Sequence, residues 1–261
     1  GLATGVYVTG VGTGTAVSLG ITLPIIFPIT NSVRGTLFIW SIPAAVGTIL
    51  WWLVVKEHPS SHSDPKYPPK GKETGKSHNS WKNRNIWITA FILFFVNIQF
   101  YTWSGWTPQL MVLKGAQPEV GALMISFNAW VSIPFMFLIP WASHKIGLVK
   151  PFIWLTGLGF FLSAWAAIYI PVPLGWPLMF FLGILLAIFP LVLALPVHFV
   201  PVASVGEATG IVLSIGYLGA LIGPWIAGYM LDVSGTLNQA YIFLVGAGIA
   251  FFLYSWIIKN K

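Results

Sequence analysis

Residues 206–232 read GEATGIVLSIGYLGALIGPWIAGYMLD. Between Glu207 and Asp232 the run is uncharged, and glycines recur along it. About 20 apolar residues rising 1.5 Å each cross a hydrocarbon core of about 30 Å, so this run is long enough to span a membrane. Its glycines would let a neighbouring helix approach closely. The start of the chain echoes it. Gly1-Leu2-Ala3-Thr4-Gly5-Val6 aligns with Gly206-Glu207-Ala208-Thr209-Gly210-Ile211, and the same offset of 205 sets Thr9 on Ser214 and Gly14 on Gly219. A repeat at that distance implies two related halves.

The rest of the chain has the same character. Of its 261 residues 56% are hydrophobic and 7% charged, and the mean hydropathy is +0.82; a soluble domain carries about 25% charged residues. Eight apolar runs, at 2–27, 34–55, 86–112, 119–141, 151–171, 176–199, 207–231 and 239–258, are separated by polar or Gly/Pro punctuation. None alternates as a lipid-facing barrel strand must, so the expected class is an all-α polytopic membrane protein of about eight transmembrane helices. The net charge of +7 does not point to nucleic acid, because seven of the thirteen basic residues (Lys56, Lys66, Lys70, Lys72, Lys76, Lys82, Arg84) share one loop and the others sit at span ends. There they set topology and meet lipid headgroups. With both termini cytoplasmic, that loop, Lys145, Lys150, Lys259 and Lys261 lie inside, and only Arg34 and Lys114 lie outside. Zero cysteines exclude disulfides and thiolate metal sites. His58, His62 and His78 fall in the polar loop without fixed geometry, so no metal or cofactor is expected.

The loop 56–84 is rich in Pro, Ser, Lys and Gly and reads as a flexible linker. It divides the chain into a pair of helices (1–55), a cytoplasmic linker (56–85) and a bundle of six (86–261). The 205-residue offset makes the first span equivalent to the fifth of that six. The sequence therefore predicts spans 5–12 of a twelve-span parent, with four amino-terminal spans as missing partners.

Two related sets of six spans joined by a basic loop resemble the major facilitator superfamily of secondary transporters. Pro140-Trp141-Ala142-Ser143-His144-Lys145-Ile146-Gly147 looks like a degenerate copy of that family's loop motif G-x-x-x-D-R-x-G, with His144 replacing the acid and Lys145 the arginine. Within the family, the stretches 106–110, 189–196 and 216–224 are similar to the cyanate and nitroimidazole permease branch of anion importers. Gly1, Gly10 and Gly14 fit part of the antiporter motif, but Thr15 stands where its proline belongs. The resemblance implies a plasma-membrane permease, not an enzyme, moving a small solute by alternating access, with a small anion as first expectation and drug or metabolite efflux by proton antiport as the alternative; a membrane-embedded enzyme or scaffold is the remote alternative, for which only the scattered Glu207, Asp232, His144 and His198 are available. A coupling proton or ion would be its other partner.

No span interior holds Asp, Glu, Lys or Arg, so candidate binding groups are polar and aromatic. Asn97 and Tyr101, four apart, share a helical face. The resemblance implies that this helix lines the cavity, which makes Asn97, Gln99 and Tyr101 candidate substrate ligands and Trp103 and Trp106 its walls. Bonding between helices and interfacial anchoring are the competing uses of these side chains. Asn128, Ser214 and Tyr217 complete the expected binding set. His198 could titrate near neutral pH, although its place at a span end suits interfacial bonding better. Pro134, Pro190, Pro196 and Pro224 each remove a backbone donor and are expected to bend helices and act in gating. The glycines of 206–232 are expected to form a sliding surface between halves, with Ser214 and Tyr217 facing the pathway.

Overall fold

Prolines, asparagines and glycines cut the apolar chain into helices where their backbone chemistry favours a cut. The structure, a computed structural model, describes residues 2–54 and 79–257. In chain order the helices are α1 (Leu2–Ile21), a π-helical turn (Thr22–Ile26), α2 (Phe27–Thr30), α3 (Val33–Val54), α4 (Arg84–Leu113), α5 (Pro118–Ile146), α6 (Lys150–Tyr169), α7 (Gly175–Leu186), α8 (Phe189–Ala194), α9 (Val205–Ser234) and α10 (Leu237–Ser255). Eight stretches among the described residues are long and apolar enough to cross a membrane, and those residues contain no strand. Asn83 caps α4 by accepting from the Asn85 N–H at 2.9 Å, a role its short polar side chain suits. Gly147 and Gly235 close α5 and α9 at φ +74° and +68°, where a side chain would be strained.

The chain divides into two units, 1–21 with 79–261, and 22–78. In the smaller one, Trp40 Nε1 donates to Thr22 Oγ1 at 3.0 Å and the hydroxyls of Thr30 and Thr36 meet at 2.9 Å. Its α3 is apolar all round, with Phe38, Trp51 and Trp52 exposed, as suits a helix surrounded by lipid or other helices.

In the larger unit α4 is the central element, packed against α9, α5 and α10. The α4–α9 seam is built on small residues. A Cβ at Gly216 would lie 2.5 Å from Leu93 Cδ2, one at Gly219 would run into the Phe94 carbonyl oxygen, and one at Gly223 would lie 2.6 Å from Thr102 Oγ1. Lipid tails are as apolar as leucine, so such close backbone contact supplies the dispersion energy that holds membrane helices together. Where a sliding surface between halves was expected, these three glycines are filled by α4, a helix of the same compact unit. The remaining pairs use similar means: Gly157 of α6 meets the Phe252 backbone and Gly248 of α10 meets that of Phe161, while Ser126 Oγ of α5 donates to the Ala16 carbonyl of α1 at 2.6 Å. Outside the spans, Lys114 donates from Nζ to the carbonyls of Ile168 at 3.2 Å and Ile170 at 2.7 Å, which complements the C-terminus of α6.

The prolines fall into two kinds. The span predicted at 176–199 is interrupted: α7 stops at Leu186, α8 carries Pro190 in its first turn, and a 3₁₀ turn over Leu195–His198 carries Pro196 in its own. A first turn has no use for the missing N–H, so these prolines sit comfortably after each break. By contrast α5 runs unbroken through Pro134 and Pro140, and α9 through Pro224.

Candidate functional site

A cavity of about 450 Å³ lies in the larger unit, with residues on both sides of the break at 187–188 in its wall. It is walled by Gly12 and Thr15 of α1; Val96, Asn97, Phe100 and Tyr101 of α4; Asn128, Ala129, Ser132 and Met136 of α5; Leu186, Phe189 and Leu193 around the break; and Thr209, Leu213 and Tyr217 of α9. Each helix contributes residues at helical spacing, such as 97 and 101 on α4 or 209, 213 and 217 on α9, so each turns one stripe to the space. The described lining contains no Asp, Glu, Lys, Arg or His. Its polarity comes from amides and hydroxyls set among aromatic and aliphatic walls, a composition usual for small-molecule sites.

Two asparagines anchor the polar part. Asn97 is fully buried and donates from Nδ2 to the Gly216 carbonyl of α9 at 3.0 Å, while its Oδ1 has no partner. Asn128 donates from Nδ2 to the Met179 carbonyl of α7 at 2.8 Å. The close approach at Gly183, where a Cβ would lie 2.7 Å from the Asn128 carbonyl oxygen, brings α7 within reach of this side chain. Tyr101 and Tyr217 face each other across the α4–α9 seam with ring centroids 6.3 Å apart and an edge-on arrangement, the geometry that aromatic quadrupoles favour.

Of the predicted binding residues, Asn97, Tyr101, Asn128 and Tyr217 therefore come together on one cavity. Gln99, Trp103 and Trp106 do not. Gln99 lies about 200° around α4 from Asn97 and is directed at α10, where its Nε2 donates to the Leu244 carbonyl at 3.0 Å. Trp103, one turn further along the same stripe, donates to Gln99 Oε1 at 3.2 Å and packs edge-on against Tyr241 at 5.1 Å. Trp106 donates to the Pro224 carbonyl of α9 at 3.1 Å. All three bridge helices instead of walling the cavity, so their expected role in lining it is corrected. Ser214 is exposed on α9 and outside the lining, one position past the 209/213/217 stripe. Pro190 and Pro196 mark the interrupted span beside the cavity, while Pro134 and Pro224 lie in continuous helices. His198 is exposed at a span end, and His58, His62, His78 and Gly1 lie outside the described residues. Sequence reading passed over Thr15, Phe100, Phe189 and Thr209. The i, i+4 relation of Thr209 to Leu213 and Tyr217 was available to it, whereas Thr15 drew notice only as the residue in place of the antiporter motif's proline, which says nothing of a cavity.

Comparison with known proteins agrees with this architecture. The chain is 19% identical over 253 residues to the protein named "Uncharacterized transporter YycB" of Bacillus subtilis (strain 168), a match covering 95% of the chain and 60% of that protein. It is 24% identical over 213 residues to the "Cyanate transport protein CynX" of Escherichia coli (strain K12), covering 80% of the chain and 52% of that protein. The chain thus spans between half and three-fifths of the length of these relatives. The family model described as Major Facilitator Superfamily matches residues 1–224. A polytopic helical chain with this match over most of its length belongs to the major facilitator superfamily of membrane transporters.

Proposed function

We propose that this chain forms part of a secondary active transporter, in which the cavity between α1, α4, α5 and α9 holds a small solute during alternating access. The observation that carries the reading is the cavity itself: amides and hydroxyls from four helices converge on one space inside an otherwise apolar bundle, beside a span broken at Pro190 and Pro196. Polar groups inside a membrane are costly and concentrate where solutes pass. In this reading Asn97, Tyr101, Asn128 and Tyr217 contact the solute, and the interrupted segments around Pro190 and Pro196 bend as the site changes sides. Residues 1–55 act as the last two helices of an amino-terminal half, 56–85 as the linker, and 86–261 as the carboxy-terminal half. The protein lies in the plasma membrane with both ends of this chain in the cytoplasm, and a proton or other ion gradient drives it. Similarity to a protein named for cyanate transport favours a small anion. The test is gradient-driven uptake by the full-length protein in proteoliposomes. Saturable uptake is expected, with KM raised about tenfold in Asn128→Leu, as the loss of one buried hydrogen bond of about 1.4 kcal/mol would give. Absence of gradient-dependent flux for every solute in a broad panel would refute the reading.

A further inference from the structure

Resting on the reading that this cavity is the transport site, we infer that its solute carries an N–H or O–H donor, which docks on the side-chain carbonyl oxygens of Asn97 and Asn128. The orientation of both amides is fixed by what they bind. Each Nδ2 donates to a helix backbone carbonyl, Gly216 at 3.0 Å and Met179 at 2.8 Å. A carbonyl can only accept, so rotating either amide by half a turn would set oxygen against oxygen. The two Oδ1 atoms are thus held as acceptors, each by a neighbouring helix. Asn97 Oδ1 is buried and receives no hydrogen bond, a state costing about 1–3 kcal/mol, and with the residue fully buried a solute donor reaches it through a small shift of the side chains that cover it. Asn128 Oδ1 receives none from any described residue either.

The rest of the described lining points the same way. It holds no cation, so an anion without hydrogen would face carbonyl oxygens with only amide and hydroxyl hydrogens as compensation. A donor-bearing solute supplies what these oxygens lack. The hydroxyls of Tyr101, Tyr217 and Thr209 serve as donor or acceptor to whatever else it carries, and Ser132 Oγ, which donates to the Ala129 carbonyl at 2.7 Å, serves as acceptor. Amides, alcohols and hydrogen-bearing anions form the class. Among anions, those that bring their own hydrogen, as bicarbonate does, suit these oxygens best.

The experiment uses pairs matched in shape and differing in the donor: bicarbonate against nitrate, both planar monoanions, and benzamide against acetophenone, both neutral. Thermal stabilisation of the detergent-solubilised full-length protein is titrated with each, for wild type, Asn97→Leu and Asn128→Leu. In at least one pair the donor-bearing member is expected to protect wild type at a concentration about tenfold lower than its partner, and the advantage is expected to shrink to within threefold in the variants. The wild-type comparison stands whether or not the variants fold. Equal or better protection by the donorless members, or no protection by bicarbonate and benzamide, overturns the inference. Proteoliposome uptake separates the two readings. Saturable uptake of nitrate in preference to bicarbonate would overturn the donor rule and leave transport standing, whereas no gradient-driven uptake of any solute would remove the transport reading and the donor rule with it.

Discussion

Replacing Gly219 with alanine should weaken the protein more than any other single methyl added to α9. The new Cβ would run into the Phe94 carbonyl oxygen, 3.0 Å from that carbonyl's carbon and 3.2 Å from Ile98 N, all of it backbone that cannot rotate away. Relief requires α9 to retreat from α4 by roughly 1 Å, since close-packed interiors have little slack. That movement would stretch the 3.0 Å bond from Asn97 to Gly216 out of hydrogen-bonding range. Overpacking of about 1–3 kcal/mol and the lost bond of about 1 kcal/mol give a destabilisation of about 2–4 kcal/mol. At about 2.1 cal/mol/K of unfolding entropy per residue, the fall in Tm is about 4–7 °C for 261 residues and somewhat smaller for a longer protein. Thermal unfolding of the full-length protein in detergent reads it out, with Gly210→Ala as control. Gly210 lies on the same helix with nothing within 4 Å of its would-be Cβ, so both variants share the gain in helix propensity. A Gly219→Ala protein as stable as Gly210→Ala would refute the seam argument.

Other perturbations separate structural from solute-facing residues. Gln99→Leu strands Trp103 Nε1 and removes the tie to Leu244, so thermal unfolding should show a loss of about 1–3 kcal/mol while the KM of transport stays unchanged. Pro190→Ala restores a backbone donor at the start of α8 and is expected to slow turnover at constant KM in the proteoliposome assay; unchanged kcat would exclude a hinge there. Burial lowers the pKa of Lys114 from 10.5. The folded state therefore releases this proton before the unfolded state does, and stability gains with rising pH in the window just below 10.5. Tm against pH should show this slope in wild type and lose it in Lys114→Met.

The part of this fold that residues alone dictate is the part governed by solvent. Hydropathy and length located the eight spans, because a backbone in hydrocarbon must satisfy its own hydrogen bonds and has little choice but the helix. The helix ends at Asn83, Gly147 and Gly235 are also local, resting on capping and positive φ, but hydropathy passed over them and ended the apolar runs at 86, 141 and 231. The repeat of 205 residues and the loop at 56–84 pointed to the transporter family for the same reason, being features of the chain and not of its packing. The rotation of each helix about its axis belonged to the tertiary structure. In water an amphipathic stripe would have fixed it, but these spans are apolar all round, and a polar residue is as well satisfied by a neighbouring helix as by a solute. Asn97 and Gln99, two residues apart in one helix, show the consequence: one faces the cavity and the other faces Leu244. Gly216, Gly219 and Gly223 show it again, because their spacing announced a close contact and only the fold could say that α4 fills it.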